Sequence, residues 1–298
     1  MNVESDALTR YLDADADRAA PAGLAMLTRA LRERFGDALA VILFYGSCLR
    51  TGETADAVVD LHVIIDDYRA YGSPLLASLN RLLAPNVFYL ATSAGQQALR
   101  CKYNVFGLHH LPRLVAEDRL AIFTWARLAQ RSAVLYARDD EVRYRVHAIR
   151  AQAVRTFAAA ATPVVGPPSD AEAFWRDALG LTFGCELRAE SPRRAAQIVG
   201  QDADYFRDIT AAMPAQTARR SPARERRRWL LRRLVGKSGS MLRLIKGWYT
   251  FAGGLDYIVW KLERHSGRHI EVPERVRRRP VLHIWGFAWR LYREGVFR

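Results

Sequence analysis

The sequence predicts an α/β domain to about residue 160, followed by an all-helical region. Three observations carry this. Between residues 22 and 65 a helix-spaced apolar stretch, a short buried-strand run, a Gly-Ser turn, a polar loop and a second apolar run follow in order. The segment TPVVGPPSD, 162–170, has the composition of a linker. Beyond it, helical spacing continues almost throughout.

Residues 22–35 place apolar side chains at helical intervals and run into Gly36. ALAVILFYG then has the continuous apolar character of a buried strand and stops at Gly46-Ser47. After the loop TGETADA, the run VVDLHVII reads as a second strand. Residues 74–83 form a helix opened by Pro74, and NVFYLAT and LRCKYNVFG supply further strands. Helices are expected over 112–131, with Ile122, Trp125 and Leu128 on one side, and over 139–161. After the linker come helices at 170–187 and 191–211, then an intensely basic stretch at 216–237. The final segment, VLHIWGFAWRLYREGVFR, interleaves aromatics with arginines. The expected units are an α/β domain over 1–161, a helical domain over 170–275 and an amphipathic terminal segment over 280–298.

Half of the 298 residues are hydrophobic and 26% are charged, so a sizeable core is available and disorder is excluded for most of the chain. The net charge of +14, from 45 Lys+Arg against 31 Asp+Glu, calls for an anionic partner: nucleic acid, nucleotide phosphate or an anionic bilayer. Composition alone does not choose among them. Cys48, Cys101 and Cys185 lie far apart with no zinc-type spacing, so reduced thiols and no structural metal are expected. The N-terminal residues are acidic and lack the apolar stretch of a signal peptide. No apolar run reaches the roughly 18 residues needed to span a bilayer, so any membrane contact is expected to be peripheral.

The chemistry-bearing pattern is Tyr45-Gly46-Ser47 followed by Asp60 on the next strand. A Gly-Ser turn lets backbone approach a phosphate closely. An aspartate on the adjoining strand offers the oxygen ligand that magnesium prefers. This order is the topology of the polymerase-beta-type nucleotidyltransferase fold. Two acids at i and i+2 would share a strand face, but here Asp60 is followed by His62, a poor magnesium ligand. Asp66 and Asp67 close the strand and reach the site only if it is short or bent.

The ordered set FYGSCL, VVDLHVIIDDY, NVFYL, KYNVFGLHHL, FTWARLAQRSAVLY, LGLTFGCELRAE and SGSMLRLIKGWYTFAGGLDYIVWKL resembles the mitochondrial-type phosphatidate cytidylyltransferase family, also found in bacteria, over residues 40 to 265. The resemblance implies a nucleotidyltransferase domain with a helical domain, peripheral on a membrane, here the cytoplasmic face of a bacterial inner membrane. It implies synthesis of CDP-diacylglycerol from CTP and phosphatidic acid, with a divalent metal and release of pyrophosphate. By the same resemblance Tyr45, Gly46 and Ser47 hold the triphosphate, Asp60 binds metal, and Asp66 and Asp67 match an acidic pair available to a second ion. Lys102 and Tyr103 match a Lys-Tyr pair, although Asn104 follows where the family has glycine. Arg127 matches an arginine before which Ala126 replaces glycine, and Lys246-Gly247 match a Lys-Gly pair.

Lys102 on a strand facing the site would neutralise phosphate. Otherwise it is a lysine snorkelling from an edge strand. Ser238, Ser240, Arg243 and Lys246 combine small donors with cations in the manner of a phosphate cradle at a helix start. The arginine-rich helix around Trp229-Leu230-Leu231 suits anionic lipid, nucleic acid or plain solvation. Trp285 and Trp289 beside Arg290 and Arg293 favour a headgroup interface. The alternatives are transfer to another phosphorylated lipid, a small molecule or RNA, and a degenerate binding module. The terminal tryptophans and the helical-region resemblance argue against nucleic acid.

Overall fold

A computed structural model of the chain describes residues 6–21, 23–54, 57–71, 74–94, 97–120, 122–186, 192–214, 221–250 and 270–278, with positions 263, 283, 286, 287, 289, 290 and 293. The elements are α1 (Ala7–Asp15), α2 (Leu24–Phe35), β1 (Leu39–Tyr45), α3 (Ser47–Thr51), β2 (Val58–Ile65), α4 (Pro74–Leu82), β3 (Asn86–Ala94) and β4 (Gln97–Gly107). Then follow α5 (Leu111–Leu114), α6 (Phe123–Leu128), β5 (Ser132–Ala137), α7 (Asp140–Val165), α8 (Ala171–Phe183), α9 (Pro192–Gln201), α10 (Ala203–Ala212) and α11 (Pro222–Thr250). The fold class is mixed α/β, as expected.

The five strands form one sheet in the order β3-β4-β2-β1-β5. β1 is apolar at every position and buried throughout, the pattern of a strand covered on both faces. It runs antiparallel to β2 and β5, while β2 runs parallel to β4. Side chains alternate across the sheet. One face carries Phe44, Leu61, Val63, Cys101 and Tyr103 and packs under Leu24, Leu27, Leu31 and Phe35 of α2. The other carries Leu43, Ile64 and Phe106 and packs under α6, α7 and α8 through Trp125, Val154, Phe157 and Trp175.

Four differences from the sequence reading have physical causes. The expected helix over 112–131 is two short helices, and β5 follows where no strand was foreseen. Its first two residues, Ser132 and Ala133, are buried beside β1. The expected helix over 191–211 breaks at Asp202, whose carboxylate turns back to Arg131. The boundary at 161 falls inside α7, which runs to Val165 and stops before Gly166-Pro167-Pro168. Finally, α8 and α10 share one core with α7 and the sheet rather than packing apart: Trp175 meets Phe157, Phe174 and Phe206, and its Nε1 donates to Thr210 Oγ1 at 2.8 Å.

Candidate active site

The turn after β1 is built around Gly46, with φ +90°. A Cβ at this position would sit 2.9 Å from Asp60 Oδ2, so both backbone and space demand glycine. Asp60 stands opposite Tyr45 on β1 and in register with Lys102 on β4. Paired positions share a face, so Tyr45, Asp60, His62, Lys102 and Asn104 all look toward the helices. Asp60 is half-buried, and among the described residues no group donates a hydrogen bond to its carboxylate. Ser47 opens α3 immediately beyond the turn.

Burial pushes the Asp60 carboxyl above its usual range, while Lys102, Arg127, Arg50 and Arg194 pull it back down. Four cations from four elements therefore act on one carboxylate. Arg127 leaves α6, donates to Glu186 Oε1 at 2.7 Å and to Phe123 O at 3.3 Å, and lies 3.5 Å from the centre of the Phe123 ring. Arg50 leaves α3 and donates to Gln201 Oε1 at 3.1 Å, with its Nη1 3.8 Å from Asp202 Oδ2. Arg194 comes from α9. This collar suits a polyanion whose phosphates exceed the single protein carboxylate in charge.

His62 is no metal ligand here. Its ring stacks on Tyr45 at 3.9 Å and meets Phe106 edge-on at 5.5 Å. Asn104 Nδ2 lies 3.4 Å from His62 Nδ1 and donates to the Tyr45 hydroxyl at 2.8 Å. Burial, then Arg127 and Arg150, hold His62 well below its ordinary pKa, so it is neutral. Burial likewise raises the Tyr45 phenol, so it does not ionise at neutral pH.

The structure does not bring Asp66 and Asp67 to Asp60. β2 pairs with β4 without a break from Val58 to Ile65, which places the pair about 20 Å away at the far end of the strand. There Asp66 takes a bidentate pair from Arg138 at 2.7 and 3.1 Å, and Asp67 accepts from Arg81 at 2.7 Å and from the Arg69 backbone at 2.9 Å. Tyr103 is also misplaced by the sequence reading. It is next to Lys102 on a strand, so it faces the other way, stacked on Phe88 at 5.5 Å in the core under α2. No helix begins at Ser238: α11 is continuous from Pro222 to Thr250, so the backbone amides there serve the helix. Ser238 is exposed and Ser240 Oγ donates to Gly236 O at 2.8 Å. The side chains of Arg243 and Lys246 lie outside the described residues, as does Trp285, whereas Trp289 is 63% exposed.

Among the described residues no three His, Cys, Asp or Glu side chains converge on a point that could hold a metal ion. The donors do not fit a two-metal centre. They do fit one magnesium ion brought in with a nucleotide, because such an ion takes one carboxylate and completes its oxygen shell from phosphates and water. The Asp60 carboxylate against the Gly46 turn is the acid available to such an ion.

Arg50, Arg194 and Glu186 were missed in the sequence. Arg50 follows the Gly-Ser turn by three residues, a spacing that returns it to the same end of a short helix. Arg194 and Glu186 carry no local signal, since only the packing of α8 and α9 brings them near.

No protein-family model matches the chain, and no curated protein matches it. Among solved structures it is similar to a nucleotidyltransferase-like protein from Exiguobacterium sibiricum 255-15, at 13% identity over 90% of each chain and a TM-score of 0.26. A likeness at that TM-score carries no argument about this chain.

Proposed function

We propose that this chain is a nucleotidyltransferase that joins a nucleoside monophosphate to a phosphate-bearing acceptor. The single observation behind the proposal is the unencumbered Asp60 carboxylate set against Gly46 and collared by Lys102, Arg127, Arg50 and Arg194. In the specific form that the motif resemblance suggests, the substrates are CTP and phosphatidic acid, the products CDP-diacylglycerol and pyrophosphate, and the setting a peripheral one at a bilayer.

An acceptor phosphate oxygen attacks the α-phosphorus of the nucleotide; a new P–O bond forms there while the bond to the β-phosphate oxygen breaks and pyrophosphate leaves with the electron pair. Two polyanions must be brought together, which the four cations favour. An acceptor phosphate is already ionised at neutral pH. No general base is needed, and neutral, stacked His62 is not placed to act as one. Asp60 would hold a divalent ion accompanying the nucleotide, and that ion would screen the triphosphate charge. Gly46 lets the backbone at Ser47 approach the phosphates.

The test is a screen of four nucleoside triphosphates with magnesium against phosphatidic acid vesicles and soluble phosphomonoesters, read as nucleotide-linked product by mass and as released pyrophosphate. Cytidine-linked lipid is the expected product, with Asp60→Asn slowing turnover by at least about a hundredfold while melting stays unchanged. No product from any pair would overturn the proposal. A second reading, a binding module without turnover, is favoured by His62 and Asn104 standing where further acids could have flanked Asp60. It requires that nucleotide bind with no pyrophosphate released.

A further inference from the structure

Helix α11 turns large apolar side chains to solvent. Leu230, Leu231, Leu234, Val235, Met241 and Leu242 are between 38% and 65% exposed. The opposite side of the helix is fixed in place. Glu225, Trp229 and Arg232 are buried, Trp229 Nε1 donates to Ala160 O at 3.0 Å, and Arg232 pairs with Glu225. At about 100° per residue these buried positions fall in one sector, and Leu230, Leu234 and Met241 point directly away from it. Arg226, Arg233 and Lys237, all exposed, run along one border of the apolar sector, and Arg227 lies within it. From Leu230 to Leu242 the strip is about 18 Å long.

We infer that this face of α11 is a docking surface for an anionic lipid bilayer. An apolar strip bordered by cations places acyl-chain contact and headgroup charge in one plane, with the arginine stems lying along the apolar surface. Each cation near an anionic leaflet adds to the attraction, which falls off within a Debye length. The stretch 226–242 contains no Asp or Glu, so a second copy of the same face would set arginines against arginines. Nucleic acid would engage the cations and leave the leucines wet. No helix among the described residues is long and apolar enough to cross a membrane, so the helix would lie in the interface. The sequence reading had favoured the terminal segment for this role. The surface stands apart from the chemistry at Asp60, so vesicle binding and product formation can fail separately.

The experiment is co-sedimentation of the full chain with vesicles of phosphatidylcholine alone and of phosphatidylcholine with phosphatidylglycerol. Binding is expected to the anionic vesicles only, to weaken with salt, and to fall at least about tenfold in the triple variant Leu230→Glu, Leu234→Glu, Met241→Glu. All three side chains face solvent, and an unchanged circular dichroism melt shows that the fold is kept. Wild-type protein that ignores anionic vesicles, or a variant that binds them equally, overturns the inference. A wild-type dimer that the variant turns into a monomer reassigns the face to a second copy. RNA binding that the variant weakens, with no vesicle binding, reassigns it to nucleic acid.

Discussion

A methyl group at position 46 would meet the carboxylate that the turn presents, and the glycine's φ of +90° is strained for any other residue. Gly46→Ala should therefore lower stability by about 1–3 kcal/mol and displace Asp60. Urea unfolding and pyrophosphate release should both register it, and an alanine variant with wild-type values in both would contradict the account of the turn. His147 is a second residue with a definite consequence. It is fully buried, with Arg150 Nη1 3.1 Å from its Nδ1 and Asp13 Oδ1 3.6 Å from its Nε2. Burial first, then Arg150 and Arg143, bring its pKa down to about 2. A depressed histidine contributes stability that is complete above its unfolded pKa near 6.5 and is lost as pH falls. The unfolding free energy should drop by about 1.4 kcal/mol per pH unit below that point on account of this group, and His147→Gln should remove that part of the slope. His110, brought down to about 4 by burial and then by Arg81, Arg119 and Arg113, acts in the same direction over a narrower window. At this scale Gly46 and Asp60 were legible because a turn residue and a strand residue carry their own signal. Tyr103 was misread although strand alternation sets it opposite Lys102. Arg50 and Arg194 gain their meaning only from neighbours distant in the chain.

The elements explain why some residues arrive together. β1 and β2 were readable as apolar runs of strand length, and their antiparallel register puts Tyr45 beside Asp60. β5 was not, because a short run following a helix looks like its continuation. The sequence reading set a basic stretch over 216–237 apart from a helix start around Ser238, whereas α11 runs through both. Gly236 permits close packing: a Cβ there would fall well inside van der Waals contact with the Cys185 carbonyl at the end of α8. Gly236, Cys185 and Glu186 line one small cavity with Phe123 and Ala126 of α6. Gly236→Ala should push α11 away from α8, lower stability by about 1–3 kcal/mol and loosen the Arg127–Glu186 pair. Helix propensity alone predicts the opposite, a gain of up to about 1 kcal/mol from replacing glycine. The sign of the change in melting temperature decides between packing and propensity.

Across the whole molecule, Arg131 ties parts that sequence reading kept separate. It precedes β5 and reaches Asp15 at the end of α1 at 3.2 Å, Asp202 before α10 at 3.4 Å and Asp204 at 2.7 Å. Asp15 and Asp202 are 7% and 4% exposed; Arg18 also pairs with Asp15 at 2.6 Å, and Arg50 is the other cation near Asp202. Burial pushes the Asp202 carboxyl up, and Arg50 and Arg131 oppose it. Arg131→Met would leave two buried carboxylates short of a partner, at a cost of about 3–5 kcal/mol. The sign of the pH dependence follows. Without Arg131 the folded-state pKa of Asp202 rises further, so its part of the deficit is complete above the unfolded carboxylate value near 3.9 and above the raised folded value. It shrinks as acid protonates the folded chain. Denaturant unfolding of the variant and parent at neutral and at acid pH should therefore converge toward low pH, and a constant gap would mean that lost packing rather than stranded charge is responsible. Because Asp202 also holds Arg50, the variant should redirect Arg50 toward Asp202 and away from Asp60. Nucleotide binding should then weaken by more than the small change expected from a remote surface arginine, and the loss should lessen when Asp202→Asn is added.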